Sequence, residues 1–277
     1  MATSPVLDRG PATTNSEVLA SSTGGASRAS RIPLLALVFC IGLSLFISIE
    51  PVRPWLLLAL TAIMALGADG IMRSHPRGGF HSVADTSPYL FVPVLFTLSA
   101  GLFLEDVILS YWAVPAVLGA SALMGTALYA EHITVEPEHP SFPLARFALN
   151  VITYLTAFGF YAVVYGFDVE LGPAAFAVGL ISMLLAIEVF REAEADPLRA
   201  LVFAAVIGVI VGEARWVLYF IPLEGFLAGV FILLVFYLAT GVISHYLTDR
   251  LDTVVLAEFA LVTAVGLGIV IGGRALG

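Results

Sequence analysis

Two ionisable residues, Glu213 and Arg215, interrupt a stretch that is otherwise apolar. A carboxylate beside a guanidinium within hydrocarbon can hold an ion, pass a proton or grip a charged solute, because neither charge is stable there alone. Counted from Leu198, Glu213 lies about 22 Å along a helix, in the outer half of a membrane. Arg215 lies about 200° further around, so a regular helix cannot pair the two side by side. The segment therefore either breaks at this point or sends each group to a partner elsewhere, and Arg53 is a second cation expected at the same level. Trp216, Tyr219 and Pro222 follow, as at an aromatic belt and a helix end.

Glu258 is the second candidate. It lies about 9 Å into the last apolar run from Asp252. Its neighbours three and four positions away are Val254, Val255, Leu261 and Val262, so it has no local counter-ion. His245 and Arg250 are the nearest polar groups that could serve it. Asp69 with Arg73, and Glu188 with Arg191, have the spacing of helical ion pairs and read as structural. Asp69, Glu131, Glu188, His245 and Glu258 would nonetheless ring one rim of a bundle as a polar vestibule.

The segment 131–140 offers His132, Glu136 and His139 as weak metal-ligand candidates. Pro137 and Pro140 break the helix that would orient them, and no HExxH-type spacing is present. The segment reads as a solvated acidic loop, so neither a metal site nor a cofactor is expected. The loop 73–81, with Arg73, Arg77 and three glycine or proline residues in between or beside them, could touch lipid phosphates. Walker, nucleophile-elbow, paired-cysteine and Asp-rich diphosphate motifs are all missing. The lone Cys40 permits no internal disulfide.

These residues must be positioned by helices in lipid. The chain has 277 residues, 60% of them hydrophobic and 12% charged, with a mean hydropathy of +1.00. That is too little polar residue to cover a water-facing surface. A soluble enzyme is excluded, and the net charge of −9 argues against a nucleic-acid partner. Nine apolar runs occupy 32–49, 54–72, 88–104, 107–130, 147–167, 171–190, 198–220, 225–244 and 254–272, most of them long enough to cross a hydrocarbon core of about 30 Å. The expected fold is an all-α polytopic bundle of about nine transmembrane helices, a single domain over 32–277. Residues 1–31, rich in Ser, Thr, Ala and Gly, read as a disordered cytosolic tail rather than a signal peptide.

All 12 basic residues are arginines. With a cytosolic N-terminus, Arg9, Arg28, Arg31, Arg73, Arg77, Arg146, Arg191, Arg199 and Arg250 fall inside, and Arg53, Arg215 and Arg274 outside. This bias sets the orientation in a bacterial-type plasma membrane. Loops are too short for a soluble domain, so any chemistry lies in the bundle or at its rims.

Small residues recur at every fourth position in two runs: Ala200, Ala204, Gly208 and Gly212, then Ala260, Ala264, Gly268 and Gly272. Both stripes are expected to pack against helices, of this chain, a partner or a second copy. The functional expectation is a transport-type protein for a small solute or ion with its site at Glu213, Arg215, Glu258, His245 and Arg53. A non-catalytic accessory or scaffold subunit is the alternative, and a lipid-modifying membrane enzyme the third. Nine spans put Gly277 on the side opposite the N-terminus. A reporter active only in the cytosol should be silent when fused after Gly277; a bright signal would mean eight spans.

Overall fold

A computed structural model describes residues 31–49, 53–80, 82–107, 112–166, 170–193, 196–221, 223, 225–249 and 252–276. Residues 1–30 of the expected tail therefore lie outside the described residues, as does Arg250, whereas Arg31 opens the first helix. The described chain is all-helical, and nine of its helices are long and apolar enough to cross a membrane. They are α1 (Arg31–Ser48), α2 (Pro54–Arg73), α3 (Phe91–Val107, whose span is counted from Ser87), α4 (Ala113–Thr134), α5 (Phe142–Gly166), α6 (Leu171–Ala193), α7 (Pro197–Leu218), α8 (Gly225–Leu247) and α9 (Thr253–Leu276). A single helical turn, Val83–Thr86, and a 3-10 turn, Ser87–Leu90, lead into α3.

Proline and short polar caps set several boundaries. Pro54 and Pro197 open α2 and α7, where a missing N–H costs nothing. The Asp196 side chain caps α7 by accepting from the Leu198 amide at 3.0 Å. Asp252 accepts from the amides of Val254 and Val255, both at 2.9 Å, at the start of α9. The helix α7 runs unbroken through Glu213 and Arg215, which removes the break weighed above. Pro93 likewise leaves α3 continuous, because it stands in the first turn.

Two apolar cores share α5. One gathers α1, α2, α3, α4 and the first half of α5, with Phe39, Met64, Met124, Leu149 and Ile152 at its centre. The other joins the second half of α5 to α6, α7 and α8 through Tyr161, Phe190, Ile207 and Phe236. The helix α5 is thus the post around which the others stand, 56% buried where α9 is 11% buried. Large apolar side chains such as Leu66, Phe176 and Val254 face outward, as lipid requires.

The stripe on α7 packs as expected. A Cβ on Gly208 would stand 2.7 Å from the Gly179 carbonyl oxygen of α6, and one on Gly179 equally close to that of Gly208. Lipid gives no hydrophobic drive for helix association, so such backbone approach supplies the attraction. The stripe on α9 behaves differently: Ala260, Ala264 and Gly268 are exposed, and nothing lies within 4 Å of a Cβ on Gly268 or Gly272. The four-residue spacing marks a smooth face without saying whether this chain covers it. Gly208→Leu should cost about 2–3 kcal/mol by overpacking. Gly268→Leu should be tolerated by the monomer, contrary to the packing expected of both stripes, and detergent melting curves of the two variants decide it.

Candidate functional site

The concentration of buried charge lies elsewhere than Glu213. Glu131 stands in the last turn of α4, Arg146 near the start of α5, and Glu188 and Arg191 near the end of α6. All four meet at the end of the bundle that carries most of the arginines. Turns at Ile133–Glu136, Glu136–His139 and His139–Phe142 fold the α4–α5 connection tightly, returning α5 beside α4. Pro137, Pro140 and Pro143 prevent the two helices from merging.

Arg146 donates from Nη1 to Glu188 Oε1 at 2.8 Å and from Nη2 to the Glu188 carbonyl oxygen at 3.2 Å. Arg191 Nη1 lies 2.8 Å from Glu188 Oε2. Its Nη2 donates to Glu131 Oε2 at 2.9 Å and to Thr134 Oγ1 at 3.1 Å. The Arg191 guanidinium also lies over the Tyr89 ring, 4.3 Å from its centre. The order is therefore Arg146, Glu188, Arg191, Glu131, alternating in sign. Glu131 and Glu188 are 0% exposed and Arg146 is 5% exposed. Glu131 Oε1 accepts nothing, the one oxygen of that carboxylate without a partner.

A cleft of about 480 Å³ opens beside the cluster, lined by Tyr89, Thr134, Val135, Phe142, Arg146 and Arg191 among others. Nearby in sequence, Arg77 pairs with Glu136, and the His75 and His132 rings meet edge to face at 4.5 Å. Burial, reinforced by Arg77, holds His75 below the usual imidazole range. Its Nδ1 accepts from the Arg77 amide at 3.2 Å. A second cleft, of about 710 Å³, is mainly apolar and lies between α1, α2 and α4.

From Arg146 a column of polar side chains climbs α5 for about 28 Å to Tyr165. Tyr154 shares a hydrogen bond with Thr240 of α8 at 3.1 Å, and Tyr161 with Ser182 of α6 at 2.7 Å. Ser99 of α3 donates to the Thr156 carbonyl oxygen at 2.9 Å. Asn150 Oδ1 and Thr153 Oγ1 are buried without partners between them. Tyr165 donates to the carbonyl oxygens of Leu218 and Ile221 at the far end of α7.

The structure separates the residues singled out from sequence. Glu213 is exposed, whereas Arg215 is buried and lies over Tyr165. Arg53 is exposed just before α2. Among the described residues no ion pair joins these three. Glu258 is exposed on α9; His245 Nδ1 stands 2.9 Å from the Gly241 carbonyl oxygen, its ring against Phe259. Of the expected vestibule only Glu131 and Glu188 come together. Asp69 instead accepts from Arg73 at 2.7 Å and from Thr86 at 2.5 Å. The Glu188–Arg191 pair forms as its spacing predicts, but as part of the cluster. His132, Glu136 and His139 do not converge, and no group of three or more His, Cys, Asp or Glu among the described residues could hold a metal.

Residues 33–272 match a family described as a protein of unknown function, DUF5656, and the chain belongs to that family. No curated protein and no solved structure matches it. Glu188 compensates two guanidiniums at once, so Glu188→Gln should cost about 3–5 kcal/mol, as breaking a buried pair does. Arg73→Gln, which breaks a half-exposed pair on α2, should cost less than about 1 kcal/mol. Unfolding in detergent by a graded denaturant compares the two; equal costs would show that the cluster is open to water.

Proposed function

We propose that this multi-pass membrane protein is of transport type, carrying a small solute or ion, with its site at Glu131, Arg146, Glu188 and Arg191 rather than at Glu213. The observation that supports this reading is the fully buried carboxylate of Glu131, one oxygen unpartnered, in a cluster beside a cleft. Ionisable groups at membrane depth are costly and mark ion and proton routes more often than they mark anchors. The cluster balances two positive against two negative charges, so it holds its shape without a ligand. What it lacks is a donor for the free Glu131 oxygen. A proton, or the N–H of a cationic solute, supplies that donor, and exchange of one for the other is the elementary act of coupled transport. The polar column on α5 gives the opposite end a route of hydrogen-bonding groups. Orientation follows the arginine bias, which puts the cluster at the cytosolic face of a bacterial-type plasma membrane.

The accessory-subunit reading is supported by a different observation, the exposed small-residue face of α9. Proteoliposomes separate the two. Vesicles holding the purified protein and an internal pH dye, given sodium, potassium or ammonium gradients, should show proton counter-flux above that of empty vesicles. Glu131→Gln, which keeps shape and removes the titrating group, should return the rate to that of empty vesicles. Wild-type vesicles as tight as empty ones under every gradient, or full flux through the Gln variant, would move the accessory-subunit reading ahead.

A further inference from the structure

Among the described residues, Arg215 is a buried cation with no anion. It is 5% exposed, and its Nε and Nη1 find no hydrogen-bond partner. The buried Arg146 and the largely buried Arg191 are both ion-paired with glutamates, as described above. Glu213, two positions earlier, is exposed on another face of α7 and cannot reach round the helix. Tyr165 supplies a floor for the guanidinium, its ring centre 4.7 Å away. The Tyr165 hydroxyl is directed to the carbonyl oxygens of Leu218 and Ile221, both at 3.4 Å, and is thereby held in place. A guanidinium cannot shed its proton to escape burial. Its charge persists and calls for an oxyanion that the described residues do not supply.

The position says which oxyanion. Arg215 lies three residues before the end of α7, about 4.5 Å along the axis. The exposed Trp216, Tyr219 and Phe220 surround that end, as aromatic residues do at the level of lipid headgroups. Phosphate is the anion of that layer, and the planar fork of Arg matches two phosphate oxygens at once. We propose that Arg215, stacked on Tyr165, binds one phosphate group at the end of the bundle opposite the charge cluster. The inference is independent of the transport reading and stands or falls separately.

The test uses the full chain purified in detergent. Native mass spectrometry reads retained phospholipid. Melting curves are taken in inorganic phosphate against chloride at equal ionic strength, and in micelles containing phosphatidylglycerol against diacylglycerol. Wild type should be stabilised by at least one phosphate source. Arg215→Gln should raise the half-saturating concentration by about tenfold, the loss of one charge-assisted pair. Arg215→Lys should fall between, since it keeps the charge without the fork. Protection by phosphatidylglycerol but not by inorganic phosphate assigns a lipid headgroup; protection by inorganic phosphate assigns the free ion. If the Gln variant does not fold, the wild-type titration and the Lys variant decide. Wild-type melting unchanged by both phosphate sources, or a Gln variant that responds like wild type, would overturn the proposal.

Discussion

Removing four charges from water at one end of the bundle is the constraint on which the rest of the structure depends. In a medium of low dielectric an isolated carboxylate or guanidinium costs several kcal/mol, and only close pairing recovers it. The alternation of Arg146, Glu188, Arg191 and Glu131 does this, each inner member serving two neighbours. Of the helix dipoles, that of α6 favours Arg191 in its last turn, but the others do not help. Glu131 stands at the carbonyl end of α4, where an anion is disfavoured. The cluster is therefore held by mutual contact, and the fold must bring α4, α5 and α6 to one point. The tight proline-bounded turn between α4 and α5 and the end of α6 beside it meet that demand.

From this point the bundle is organised along α5. This helix takes part in both apolar cores, as α3 does, and it carries the polar column between its ends. Its hydrogen bonds reach α3, α6 and α8, and Tyr165 touches the end of α7. Side-chain hydrogen bonds between helices stabilise membrane proteins modestly, about 0.6 kcal/mol each on average. Their greater effect is rotational: each fixes which face of a uniformly apolar helix turns inward. Close backbone contact does the same for α6 and α7 at Gly179 and Gly208. The helix α9, which packs along α8 and has neither device on its small-residue face, remains the least buried.

How much of this was legible follows from the physics of each signal. Hydropathy over a window of membrane length identifies spans well, and all nine were visible, including α7 despite Glu213 and Arg215. Depth along a helix can also be read, since rise per residue is constant. Azimuth cannot, because a helix apolar on every side has no periodic contrast to orient it. Glu213 and Arg215 show the consequence: similar depth, opposite environments. The same ambiguity hid the exposed stripe of α9. The cluster escaped for another reason. Arg146 and Glu188 are 42 residues apart, and Arg191 and Glu131 are 60 apart, so no local spacing joins them. The i,i+3 pair of Glu188 and Arg191 was a true fragment of it. A usable hint was present in Glu131, an acid at the helix end that disfavours acids.

The central claim is that these four charges act as one buried unit. A double-mutant cycle between Glu131 and Arg191 tests it most directly: wild type, Glu131→Gln, Arg191→Gln and the double variant, each unfolded in the same detergent. A water-poor unit predicts a coupling energy of about 1–3 kcal/mol, the double variant costing clearly less than the sum of the singles. Costs that add to within about 0.5 kcal/mol would contradict it, and would mean that water already solvates the groups the structure buries.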